Sequence, residues 1–346
     1  MKQRPMFIAG GAAIALTVVY FGLSAYSSSR AEKVLKDWVF EHQLDQNVSW
    51  ESVSSSPLGG RITVNGLRVT FGERAPRFEV AALDIADRIM DEDRARIRLR
   101  FKGVDIDDKS REGLAGASAF LMGPIGMGAS TFGFAAAVSS GLAKPEPFDA
   151  AFHVDIDDKS GTVDAEVSLD MPELYTADTG YRMTGVRGLT RRINALNSIT
   201  TEDEAAQMAV YGVLPELAQA VEMGELVRAE FSVKDRGMAK RSIALYQRYN
   251  TPLDPTKGDA EKQRRDYFAG VMKSVRADCT KRFTKLPKGL VDGCDVVTRV
   301  LSGDATGLRV RVEPADRVRI SDLARLSDPQ RSQLLLERLN PTIERL

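Results

Sequence analysis

Residues 6–26, MFIAGGAAIALTVVYFGLSAY, are an unbroken run of 21 uncharged positions in a chain of 346 residues that is 28% charged. As a helix rising ~1.5 Å per residue, such a run reaches ~31 Å, enough to cross the hydrocarbon core of a bilayer. Lys2, Arg4 and the terminal amine precede it, so the positive-inside tendency leaves the short tail in the cytoplasm. Everything after Ser27 is then expected across the membrane. A cleaved signal peptide would have a shorter apolar region and a better small-residue exit than Ala25 and Ser27 around Tyr26. The expectation is an uncleaved anchor, with residues 1–27 as cytoplasmic tail and single transmembrane helix.

Behind the anchor, residues 30–44 read as an amphipathic helix with Val34, Leu35, Trp38 and Val39 on one stripe. From Val48 the period becomes two. Ile97, Leu99 and Phe101 alternate with Arg96, Arg98, Arg100 and Lys102, giving one dry and one basic face. Residues 148–170 alternate on both sides of Asp157-Asp158-Lys159-Ser160-Gly161, which predicts a β-hairpin. Across 61–71 the apolar phase shifts at Asn65-Gly66, as in a tight hairpin or a bulge. Further strands are expected at 78–87, 180–187, 226–233 and 307–313. Helical patterns occupy 202–221, 239–249, 259–283, 290–301 and the stretch from Pro329. Strands first, helices later and a final strand give an α+β class, with a mainly antiparallel sheet and packed helices. The expected division is a β-rich region at 28–200 and an α+β region at 201–346.

Residues 113–143 fit neither pattern: 31 positions without a charge, seven of them glycine, broken at Gly123-Pro124. Two readings stand. The segment is a buried or groove-lining insertion, or a flap that touches the membrane.

Catalytic chemistry has little to start from. There are two histidines, His42 and His153, and no G-x-S-x-G, S-x-x-K, H-E-x-x-H, C-x-x-C or P-loop pattern. No catalytic residue, metal ligand or cofactor is therefore expected. Lys plus Arg and Asp plus Glu balance at 48 each, which argues against a nucleic-acid partner. The heptapeptide Val-Asp-Ile-Asp-Asp-Lys-Ser occurs at 104–110 and again at 154–160. Its acids suggest calcium, but from Asp155 the fifth and sixth loop positions are Lys159 and Ser160, which breaks the EF-hand pattern. A solvated turn is expected instead. Cys279 and Cys294 are expected to form a disulfide, since the anchor implies export to an oxidising compartment.

The segment 56–69, SPLGGRITVNGLRV, with Leu83-Asp84-Ile85, Phe101-Lys102-Gly103-Val104-Asp105-Ile106 and the later stretches 229–237 and 310–323, resembles AsmA-like inner-membrane-anchored proteins and related bacterial envelope families. The resemblance implies a curved antiparallel sheet with an apolar inner face. It also implies an inner-membrane protein whose bulk lies in the periplasm, and links with envelope biogenesis and lipid handling. No catalytic residues come with it.

The leading expectation is a non-enzymatic envelope protein that binds lipid or another acyl-bearing molecule along the dry face of its sheet. The candidate lining is Ile97, Leu99, Phe101, Phe148, Phe152 and Val154, with Phe120, Phe132 and Phe134 from the uncharged segment. Its expected partners are the inner membrane and lipid. The alternative is an anchored scaffold that recruits an envelope protein partner through the basic strand face or a charged C-terminal helix from Pro329 to Leu346. An enzyme acting on envelope sugars or peptides would need a buried carboxylate pair in a cleft.

Overall fold

The computed structural model describes residues 28–41, 44–56, 60–70, 77–106, 137, 139–142, 145–196, 213–284, 287–323 and 329–346. Its centre is one 12-stranded sheet in which every pairing is antiparallel. The strands are β1 (Val48–Ser49), β2 (Ser52–Ser55), β3 (Arg61–Thr70), β4 (Arg77–Met90), β5 (Arg94–Ile106), β6 (Phe148–Asp157), β7 (Thr162–Met171), β8 (Tyr175–Thr184), β9 (Glu225–Asp235), β10 (Gly307–Val312), β11 (Val318–Arg319) and β12 (Pro341–Arg345). Their order is β1-β3-β4-β5-β6-β7-β8-β9-β10-β12, with β2 also on β3 and β11 also on β9. Short turns after β4, β6 and β7 force each strand back beside its predecessor, which is why the order follows the chain. The sheet continues across the 200/201 position, because β8 pairs with β9 from Tyr175↔Asp235 to Thr184↔Glu225.

The helices are α1 (Ser28–Glu41), α2 (Leu189–Leu196), α3 (Val213–Glu222), α4 (Met238–Asn250), α5 (Ala260–Phe283), α6 (Lys288–Leu301), α7 (Ile320–Leu323) and α8 (Pro329–Leu339). The class is α+β with a large antiparallel sheet, but the transmembrane helix expected with it is corrected. Among the described residues no helix is long and apolar enough to cross a membrane. The longest, α5, has 24 residues and carries ten charged side chains, and each charge at a bilayer centre is costly. The run 6–26 lies outside the described residues. A second difference is at the C-terminus. The helix that starts at Pro329 ends at Leu339, Asn340 turns left-handed at φ 48°, and the chain leaves as β12. Pro341 has no N–H to continue the helical ladder, which ends it there.

One glycine pair sets the sheet's pleat. In β3 the buried positions are Ile62 and Val64, then Leu67 and Val69; in β4 they are Ile85 and Leu83, then Val80. The inward phase therefore changes at one level in both strands, and β5 changes with them, from Ile97 and Leu99 to Val104. At that level Gly66 has φ +61° and Gly103 φ +59°, a region that costs a non-glycine residue strain. A Cβ on Gly103 would stand 3.0 Å from that of Ala81, between the two. The phase shift read at Asn65-Gly66 is thus a kink within one continuous strand, not a hairpin.

The described helices cover the apolar face from its margins. Leu35 and Val39 of α1 join Ile62, Val64, Leu83, Ile85, Ile97 and Leu99 in one core. Val186 and Leu189 with α3 side chains cover Ile156, Val163 and Met183. At the other strand ends Ala137 packs with Met171, Leu174, Tyr175 and Ala177. Leu335 and Leu339 of α8 cover Leu226 and Val318. Helix α6 closes on β12 through two glycines one turn apart: a Cβ at Gly293 would stand 2.5 Å from Ile343, and one at Gly289 would strike the Pro341 carbonyl oxygen.

Candidate functional site

The described lining residues expected from sequence do share one face. Register pairs Ile97 with Val154, Leu99 with Phe152, Phe101 with Ala150 and Val104 with Phe148. Ile97 and Leu99 are buried against α1 and belong to the core, whereas Phe101, Phe148, Phe152 and Val154 are half-buried at its edge. Phe120, Phe132 and Phe134 lie outside the described residues, as does most of 113–143. From that segment Ala137 and residues 139–142 are described, and Ala137 sits 1% exposed in the core that closes one end of the sheet.

Following the register further exposes what single strands could not show. Leu99 leads to Phe152 in β6, Val167 in β7, Thr179 in β8, Phe231 in β9, Val310 in β10 and Ile343 in β12. From Phe152 onward none of these side chains is fully buried. On one side of the row Ile156, Val163 and Met183 are buried, and on the other Met171, Tyr175 and Ala177. A half-covered apolar lane thus runs across the strands between two closed margins. From β6 to β10 it spans about 19 Å at ~4.8 Å per strand. Sequence reasoning missed Val167, Thr179, Phe231 and Val310, since each alternates normally in its own strand and only pairing aligns them.

Two tyrosines border the lane. Burial pushes Tyr175 up to about 12 and raises Tyr181 as well, so both stay neutral near physiological pH. No charged side chain interrupts the row itself.

The opposite face is polar and many of its charges are paired across strands. Arg94 and Arg96 both reach Asp155, at 3.0 and 2.6 Å; Arg98 reaches Asp87 at 2.8 Å and Lys102 reaches Asp84 at 3.0 Å. Further across, Arg182 pairs with Asp164 and Arg309 with Glu230. Of the four cations singled out on β5, Arg100 alone has no ion pair among the described residues. Burial acts upward on Asp155, but hydrogen bonds from Arg94 and Arg96 outweigh it and hold the carboxyl below its usual value. Asp84 is held down the same way, by the Thr63 hydroxyl and Lys102 against its burial.

The acids of the second Val-Asp-Ile-Asp-Asp-Lys-Ser copy are each employed structurally. Asp157 accepts from the Lys159 and Ser160 amides at 2.9 and 3.2 Å and closes the hairpin turn. Asp158 accepts from the Leu189 and Thr190 amides, both at 3.1 Å, at the first turn of α2. That carboxylate satisfies helix N–H groups that have no intrahelical partner, and its charge suits the positive helix end. Among the described residues no three His, Cys, Asp or Glu side chains are grouped to hold a metal. His153 is an outer-face strand residue with Nδ1 3.1 Å from the Ile97 carbonyl; His42 lies outside the described residues.

Cys279 of α5 and Cys294 of α6 are joined by a disulfide, with Cα atoms 5.9 Å apart. Beside it Arg276 reaches Asp295 at 2.9 Å, so the bond and the ion pair fix α5 to the helix that packs on β12. Comparison with protein-family models and with curated proteins gives no match for this chain.

Proposed function

We propose that this is a non-enzymatic envelope protein, held on the periplasmic side of the inner membrane, whose sheet accommodates lipid or another acyl-bearing molecule along the half-covered lane. The observation that carries the reading is the register-aligned row Phe152-Val167-Thr179-Phe231-Val310, apolar but for one hydroxyl and nowhere fully buried. Ligand sites are mostly apolar and concave with few polar groups, and this row has that composition between two closed margins. Each methylene removed from water contributes ~0.8 kcal/mol, so about ten across the row would gain roughly 8 kcal/mol before ordering costs. The Cys279–Cys294 disulfide supports an oxidising compartment. The resemblance to AsmA-like proteins agrees with both parts.

The test is native mass spectrometry with lipid extraction on the full chain, beside Val167→Asp. Stoichiometric acyl-bearing material is expected on the wild type and is lost from the variant, with an unchanged circular-dichroism spectrum. A wild type that carries none, or a variant that retains it, overturns the reading.

A further inference from the structure

A second group of cations without an ion pair among the described residues lies off the sheet. Residues 238–284 hold eleven Lys and Arg against five Asp and Glu, in a chain whose total is balanced. This stretch is a helical hairpin made of α4, its linker and α5. Tyr246 and Phe268 meet between the helices with tilted rings whose centroids are 5.8 Å apart. The Gln263 side chain bonds the Asp254 backbone at both its N–H and its carbonyl, which pins the linker, and Asp259 caps α5 through the Glu261 amide. The disulfide to Cys294 then secures the far end of α5.

Some of the unit's charges are matched, two within it, Lys257 with Asp254 and Arg264 with Glu261, and two from outside it, Arg241 with Glu173 and Arg276 with Asp295. Arg248, Lys262, Arg265, Lys273, Lys281 and Arg282 are exposed and have no ion pair among the described residues. Lys262 and Lys273 are eleven positions apart and so fall on one line of α5, with Arg265 beside it. Besides Glu261, which pairs with Arg264, the exposed α5 carboxylates that oppose this field are Asp266 and Asp278. At the hairpin tip Tyr249 is 75% and Leu253 43% exposed, and Tyr267 on α5 is 39% exposed. Cations together with an exposed tyrosine and leucine at the hairpin tip are the composition of a surface that meets a bilayer interface.

We infer that the α4–α5 hairpin docks on an anionic phospholipid surface, with Tyr249 and Leu253 at the headgroup level and Arg248, Lys262, Arg265 and Lys273 over the phosphates. Charge complementarity selects a polyanion. The disulfide points to an oxidising compartment, which favours lipid headgroups over nucleic acids as that polyanion. The docking residues share none with the apolar lane, so the failure of this inference and the failure of the acyl reading are distinguishable.

The test measures partition of the full chain between buffer and two vesicle types, phosphatidylcholine alone and equimolar phosphatidylcholine with phosphatidylglycerol. The ratio between the two cancels any contribution common to both vesicles. Wild type is expected to prefer the anionic vesicles, and raised salt should weaken that preference. Each cation near an anionic surface contributes about a fivefold factor. Arg248→Gln, Lys262→Gln, Arg265→Gln and Lys273→Gln combined should therefore lower the ratio at least about a hundredfold. A comparison variant carries the same charge change at exposed sites off the hairpin: Arg100→Gln, Arg228→Gln, Lys234→Gln and Arg319→Gln. It is expected to keep most of the preference, and Lys262→Arg with Lys273→Arg to keep all of it. An indifferent wild type overturns the inference, as does an equal loss in the comparison variant. Tighter binding to duplex DNA than to anionic vesicles at equal salt would also overturn it and assign the surface to nucleic acid.

Discussion

Asp158→Ala is the substitution whose cost can be worked most directly from the structure. The carboxylate lies in the β6–β7 turn and accepts from the Leu189 and Thr190 amides, 31 and 32 positions away and both at 3.1 Å. Leu189 is 6% exposed and Thr190 0%, so water does not readily replace the lost acceptor. A capping side chain contributes about 0.5–2 kcal/mol, and a buried amide left unpaired costs about 1–3 kcal/mol. With two amides at stake, the expected loss is about 2–3 kcal/mol. At a urea slope of about 3 kcal/mol/M this moves the midpoint down by roughly 0.7–1 M with the slope unchanged. Asp158→Asn keeps one oxygen acceptor and should recover about half of that. Hydrogen exchange read at Leu189 and Thr190 should accelerate in the alanine variant before exchange in β4 and β5 does. If Asp158→Ala lies within about 0.5 kcal/mol of wild type, or the two amides exchange no faster, the cap is not the tie between turn and helix that its geometry indicates.

Three further expectations follow from other parts of the molecule. Thr190 is fully buried and its Oγ1 has no hydrogen-bond partner among the described residues, so Thr190→Val should stabilise by about 1 kcal/mol rather than destabilise; a loss of melting temperature would show that the hydroxyl is in use. Cys279→Ser with Cys294→Ser opens a link of sequence separation 15 and should cost ~3 kcal/mol, a shift that added reductant reproduces in wild type but not in the variant. The Asp155 carboxyl is held below its usual value in the fold, so the unfolded chain binds the proton more readily and the stabilisation is present above about pH 4 and lost as pH falls through the folded value. The stability gap between wild type and Asp155→Asn should accordingly be widest at neutral pH and shrink in acid, whereas a gap independent of pH would refute the ion-pair account.

Much of the sheet was legible because strand burial writes itself locally. Ile97-Leu99-Phe101 and Phe148 to Ile156 alternate at every second residue, and the Asp-Asp-Lys-Ser-Gly turn marks where the chain reverses. The long helices of the second half were legible for the same reason. What escaped was set by contacts distant in sequence. Helix α2 is too short to show a period and depends on Asp158, and β12 follows a helix whose pattern gives no notice of Asn340. The basic row on β5 was visible, but its neutralisation by Asp84, Asp87 and Asp155 was not, because those acids come from strands on either side. The excess on α4 and α5 passed unnoticed in a balanced total.

By itself the sequence determined the α+β class, the antiparallel alternation with one dry and one polar face, and the helices that follow. These depend on backbone period and on which side chains avoid water, both local properties. Only the tertiary structure decided that one sheet spans the chain from β1 to β12 and that Phe152, Val167, Thr179, Phe231 and Val310 align into a lane. It alone also decided which cations keep a free charge. Each of these depends on cross-strand register and helix docking, and a one-residue slip in pairing would turn the same strands' side chains to the other face while leaving every local pattern unchanged.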